Sequence, residues 1–81
     1  MQASPDLSPD FSIIAALIAD PTRAALLTQL WDGAARTAGE LALNAGISPQ
    51  TASNHLSKLL SGGLLALEVQ GRHRYYRLAN R

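Results

Sequence analysis

Apolar residues recur at helical spacing through the first three quarters of the chain. Ile13, Ile14, Leu17 and Ile18 form one stripe, which predicts a first helix from a cap at Asp10 to about Ala19. Asp20-Pro21 restarts the chain: aspartate accepts a backbone N–H at a helix N-cap, and proline suits the first helical position. A second helix is expected from there to about Trp31, with Ala24, Leu27, Leu30 and Trp31 facing the core, and Asp32-Gly33 ends it. Thr37 and Glu40 have the spacing of a capping box for a third helix over Ala38 to Asn44. Ala45-Gly46-Ile47 reads as a tight turn, with Gly46 suited to a left-handed conformation after the helix. Ser48-Pro49 repeats the cap-and-proline start, and a fourth helix runs to about Ser61 before Gly62-Gly63 stops it.

The period then changes. Leu65, Leu67 and Val69 alternate with Ala66, Glu68 and Gln70, and beyond Gly71-Arg72-His73 the pair Tyr76 and Leu78 alternates with Tyr75 and Arg77. Two alternating runs around a short glycine-containing turn predict a β-hairpin. Two helices joined by a short glycine-containing turn are a helix-turn-helix. The expected fold is therefore mainly α with a small β-hairpin, a winged helix-turn-helix. Residues 1–9, with Ser4, Pro5, Ser8 and Pro9, are expected to be a flexible arm. Residues 10–79 form the domain, with the helix-turn-helix at about 37–61 and the wing at about 64–79.

At 81 residues the chain holds one small domain, and its 47% apolar composition is that of a globular protein. There is no cysteine, so disulfides and thiolate metal sites are excluded. No apolar run approaches the roughly 18 residues that span a bilayer, and no positive charge precedes an apolar stretch near the start. These features fit a reducing compartment and a protein that does not enter a membrane. The net charge of +1 conceals an asymmetry. In residues 1–47, Arg23 and Arg36 stand against Asp6, Asp10, Asp20, Asp32 and Glu40, a net −3. In residues 48–81, Lys58, Arg72, Arg74, Arg77 and Arg81 stand against Glu68, a net +4. A basic half is what a polyanion-binding domain requires, although a chain this short also clusters charge by chance.

The fourth helix sharpens the picture. At about 100° per residue, Ala52, Leu56, Leu59 and Leu60 fall on one side. Gln50, Thr51, Asn54, Ser57 and Lys58 fall on the other, with Ser53 and His55 on the flanks. The polar side carries no carboxylate, whereas ordinary solvated faces mix glutamate with lysine. Glutamine and asparagine can pair bidentately with adenine in the major groove; serine and threonine reach bases or phosphates. Ser48, Gln50, Thr51, Ser53 and Asn54 are thus candidates for reading bases, and Lys58 for meeting phosphate. A surface helix with no ligand would also suit this composition. The hairpin tip, Gly71-Arg72-His73-Arg74, concentrates charge on a projecting element. Arginine there suits a minor groove, and it would also serve to blunt a sheet edge. The two features together point to duplex DNA.

Tyr76 shares a face with Leu78 and is expected in the core, while Tyr75 is expected toward solvent or the DNA backbone. Trp31 is expected in the core. His55 and His73 are too isolated for a metal site, so each is assigned to packing or phosphate contact. No nucleophile–base pair, phosphate loop or carboxylate cluster marks an enzyme, and no cofactor is implied. The competing class is a winged-helix protein–protein module, whose mark would be an exposed apolar patch on the fourth helix.

Asp20-Pro21-Thr22-Arg23, the run Ile47 to Leu59 with its Ser53-Asn54-His55-Leu56, Gly63-Leu64-Leu65, and Gly71-Arg72-His73-Arg74-Tyr75-Tyr76-Arg77-Leu78 together resemble the ArsR/SmtB family of bacterial winged-helix repressors. The resemblance covers about residues 11–79. It implies a cytoplasmic homodimer that binds a palindromic operator and represses transcription; many members release DNA when a metal or small molecule binds. Metal-sensing members often carry a Cys-x-Cys-type motif in the third helix, where this chain has Glu40-Leu41-Ala42-Leu43-Asn44. The family usually continues past the hairpin with a dimer-forming helix that can hold a His/Asp metal site. This chain stops at Arg81, and the expectation is that it is the DNA-binding part of a longer regulator, with the first helix supplying some of the dimer contact.

Overall fold

Three of the four helices begin where a short polar side chain turns back onto its own backbone. The computed structural model describes the backbone of residues 9–79 and side chains from Ser12 onward. Helix α1 covers Pro9–Ala19, α2 Pro21–Gln29, α3 Ala38–Ala45 and α4 Pro49–Ser61. Asp20 caps α2, its Oδ1 accepting from the N–H groups of Thr22 (2.8 Å) and Arg23 (3.1 Å). Thr37 and Glu40 form the reciprocal capping box of α3, with Glu40 N donating to Thr37 Oγ1 at 3.2 Å and Thr37 N to Glu40 Oε1 at 2.9 Å. Ser48 Oγ accepts from Thr51 N at 3.1 Å and caps α4. Gly46, at φ 70° and ψ 32°, closes α3 in the left-handed region and opens the turn into α4. Helix α1 starts at Pro9, so Asp10 lies within it and is not its cap. The rest of the expected arm, residues 1–8, lies outside the described residues.

The hairpin is β2 (Leu65–Gln70) and β3 (His73–Leu78), antiparallel, with Leu65 opposite Leu78 and Gln70 opposite His73. Gly71, at φ 61°, makes the two-residue turn possible. A third strand, β1 (Arg36–Thr37), pairs with β3, Arg36 opposite Tyr76 and Thr37 opposite Tyr75. The sheet order is β1-β3-β2. This two-residue strand was not expected, since two residues carry no readable period.

Leu26 and Leu30 of the α2 region, Leu41 and Ala42 of α3, Ala52, Leu56 and Leu59 of α4, and Leu65 of β2 form the buried core. Leu17, Ile47, Leu60, Tyr76 and Leu78 pack around it, so Tyr76 sits where its alternation placed it. Trp31 does not: it is 78% exposed. Helix α2 ends at Gln29, and Leu26 within it and Leu30 at its C-cap, four positions apart, are the residues buried there. Trp31 follows the helix in a turn, its N–H held by the Thr28 carbonyl at 3.2 Å, and its ring is left outside. Along β2, burial falls from Leu65 through Leu67 to Val69, which is 63% exposed, because the hairpin runs out beyond the core. Gly62 lies where α1 meets the end of α4: a Cβ there would run into Leu17 Cδ1, so the Leu17 side chain takes its present position because the glycine leaves that space open.

Candidate nucleic-acid interface

Burial of Ala52, Leu56 and Leu59 fixes the rotation of α4 about its axis and turns Gln50, Thr51, Asn54, Ser57 and Lys58 outward. Ser48 at the leading end is also exposed, whereas Ser53 and His55 are half-buried on opposite flanks. The polar residues are ordered by each other. Ser48 Oγ donates to Thr51 Oγ1 at 2.9 Å, and Gln50 Nε2 donates to Asn54 Oδ1 at 3.3 Å across one turn. These exposed neutral bonds exchange readily for bonds to another partner.

The hairpin register sorts the wing residues by face, because directly opposite residues in an antiparallel pair share a side. Arg74 stands opposite Val69, on the face that continues through Leu67–Tyr76 and Leu65–Leu78 into the core. His73, Tyr75 and Arg77 lie on the other face, opposite Gln70, Glu68 and Ala66. The His73 and Tyr75 rings neighbour each other there, with centroids 6.1 Å apart. Arg72, His73 and Arg74 are exposed and Tyr75 half-buried. The sequence grouped Arg72, His73 and Arg74 as one basic tip; the register puts His73 and Arg74 on opposite faces, with Arg72 in the turn between the strands.

Ion pairing separates the cations further. Arg36 holds Asp32 at 3.0 Å and also donates to the Gln29 carbonyl at 2.7 Å. The Arg36 guanidinium pulls the Asp32 carboxyl down to about 2, and Asp32 in turn raises Arg36. Arg77 Nε donates to Glu68 Oε2 at 2.6 Å across the hairpin. Asp20 is held below the usual carboxylate range, chiefly by the Arg23 backbone N–H. Among the described residues, Lys58, Arg72 and Arg74 form no ion pair. The result is a carboxylate-free surface on α4, with a wing tip whose positive charge is not internally neutralised.

Two residues with structural connections here had no assigned role in the sequence reading. Arg23 links α1, α2 and α4 through contacts to Leu17 and His55. Gln29 ties α2 to α3, donating to the Leu41 carbonyl at 3.0 Å and accepting from Asn44 at 3.1 Å. Arg23 had one visible sign, its place in the Asp-Pro-Thr-Arg run; Gln29 had none.

A helix-turn-helix domain family matches residues 18–68. The HTH-type transcriptional regulator YdfF of Bacillus subtilis is 51% identical over 74 residues, covering 91% of this chain and 33% of that protein. The HTH-type transcriptional regulator CmtR of Mycobacterium tuberculosis is 41% identical over 63 residues, covering 78% of this chain and 52% of that protein. The chain thus spans a third to a half of the length of these relatives. Among solved structures, the cadmium metal-sensor CmtR of M. tuberculosis aligns with a TM-score of 0.73 at 36% identity, over 85% of this chain and 71% of that one. The homodimeric winged helix-turn-helix DNA-binding domain of Mb0332 from Mycobacterium bovis, a possible ArsR-family regulator, aligns with a TM-score of 0.82 at 27% identity, over 99% and 77%. With four helices, three of them capped by their own side chains, a three-stranded sheet that carries the wing and these likenesses, the chain belongs to the ArsR family of winged helix-turn-helix transcriptional regulators.

Proposed function

We propose that this chain is the sequence-specific DNA-reading domain of a transcriptional repressor that works in the bacterial cytoplasm as a homodimer on a palindromic operator. The observation that carries the reading is the pairing of a carboxylate-free polar face on α4 with two wing-tip cations, Arg72 and Arg74, that form no ion pair among the described residues. Helix α4 enters the major groove, with Ser48, Gln50, Thr51, Ser53 and Asn54 toward base edges and Lys58 toward phosphate. The wing lies on an adjacent minor groove or backbone: Arg72 and Arg74 meet the groove, and His73 and Tyr75 meet the flanking backbone. A two-fold dimer presents two such helices to half-sites about one DNA turn, ~34–36 Å, apart. Dimerisation of the Mb0332 domain supports that arrangement. The protein-interaction alternative calls for an apolar outer face on α4. Among the described residues the exposed large apolar side chains are Ile13, Ile18, Trp31, Leu43 and Val69, none of them on that helix.

Selection from a random duplex pool tests the proposal. A recovered palindrome with steep salt dependence is expected. Truncating Gln50 or Asn54 to alanine is expected to relax preference at one position by about 1–3 kcal/mol. Unchanged base preference after Gln50→Ala refutes its part in readout, and the absence of any salt-sensitive binding by folded protein refutes the function.

A further inference from the structure

Arg23 makes connections that a helix-surface arginine does not need. It lies half-buried in the first turn of α2. Its Nε donates to the Leu17 carbonyl at 2.8 Å, near the end of α1. Its Nη1 lies 3.5 Å from Nδ1 of His55 on α4, 32 positions along the chain. The planar fork supplies both directions at once, which the single ammonium of a lysine does not. Its anchor at the other end is firm: the Arg23 backbone N–H donates to the Asp20 carboxylate that caps the same helix.

The contact has a consequence for the imidazole. A guanidinium has donors and no acceptor, so the contact favours the neutral tautomer in which Nδ1 accepts and Nε2 carries the ring proton. Among the described residues, no side chain or carbonyl takes a hydrogen bond from that Nε2. His55 stands on the flank of α4 one turn from Thr51 and Lys58, both exposed. The half-buried His55 thus borders the surface assigned to the DNA backbone, with Nε2 the ring nitrogen that does not face Arg23.

We infer that Arg23 is a positioning residue for DNA binding: it fixes the tautomer and orientation of His55 so that Nε2–H donates to a DNA phosphate beside Lys58. This inference rests on the reading of α4 as the DNA-binding helix. Arg23 acts through His55 and does not itself touch the nucleic acid. The sequence reading gave His55 a phosphate-contact or packing role with no account of what orients it.

The test is a double-mutant cycle on the duplex recovered from the random pool, with wild-type protein, Arg23→Lys, His55→Ala and the double variant. Thermal melts of all four, with binding measured well below the lowest midpoint, separate DNA effects from unfolding. Losing one hydrogen bond to a charged group is expected to cost about tenfold per half-site for His55→Ala, and so about a hundredfold for a dimer on its palindrome. Arg23→Lys, which keeps the charge, is expected to cost a similar factor alone and none once His55→Ala is present. Ring-nitrogen NMR of wild-type protein is expected to show His55 with its proton on Nε2, and Arg23→Lys to weaken that signature. Equal losses from Arg23→Lys with and without His55→Ala overturn the inference, as does full affinity in Arg23→Lys. A wild-type protein that selects no duplex overturns the DNA reading itself and this inference with it.

Discussion

Replacing Lys58, Arg72 and Arg74 by glutamine, singly and together, tests the basic surface quantitatively. Each cation that neutralises a DNA phosphate adds about 0.9 to the slope of log affinity against log salt. Raising salt from about 50 to about 200 mM therefore weakens binding by roughly 3.5-fold per contact, or about 0.7 kcal/mol. Three contacts per protomer make roughly 40-fold, and the six of a dimer roughly 2,000-fold, over that range. Because each substitution occurs in both protomers, a single one is expected to lower the slope by about 1.8. Arg36 and Arg77 are the controls: they already pair with Asp32 at 3.0 Å and Glu68 at 2.6 Å, so their replacement is expected to leave the slope unchanged. Fluorescence anisotropy titrations on one labelled duplex, across a series of salt concentrations, supply the slopes. If Arg77→Gln flattens the dependence as much as Arg72→Gln, or the triple replacement keeps the wild-type slope, the division into neutralised and available cations is wrong.

Gly62→Ala is expected to destabilise the fold by about 1 kcal/mol, the low end of overpacking, because the new methyl meets Leu17 Cδ1, the end of a side chain that can shift, and the Lys58 carbonyl at 3.3 Å. Leu17→Ala should remove most of that added penalty in chemical denaturation, and a penalty unchanged by it refutes the steric cause. Asp32 has its carboxyl lowered from 3.8 to about 2 in the folded chain, so its stabilisation is present above 3.8 and lost as pH falls through about 2. The melting-temperature gap between wild type and Asp32→Asn, small for so exposed a pair, should be open at neutral pH and closed at the acid end; a gap that persists there contradicts the assignment. Trp31, the single tryptophan, is exposed and should be quenched by iodide in the folded monomer almost as in denaturant. A shielded indole in folded monomer would restore the core position that the sequence suggested.

The features legible in the sequence are those whose partners lie a few residues away. Asp20, Thr37 and Ser48 each reach an N–H two or three residues on, so cap and helix start are written together. The hairpin follows from alternation on either side of Gly71. The rotation of α4 follows from Ala52, Leu56 and Leu59 occupying one side of a helix, and with it the outward set Gln50, Thr51, Asn54 and Lys58 was legible too. Trp31 was misplaced because apolar character states a preference for burial, whereas where the helix stops and which face the core fills decide whether it is met. Strand β1 and the Arg23–His55 contact were invisible for a related reason: each joins residues far apart along the chain, and nothing in either segment specifies the other. The same holds for the wing. Sequence supplied its charges, but only the pairing register put Arg74 on the core side, His73 and Tyr75 on the other, and Glu68 against Arg77. Local hydrogen bonds and periodicity thus determined the elements and the chemistry they carry, while the packing of the helices and the register of the sheet decided which of those groups face one another and which remain available to a ligand.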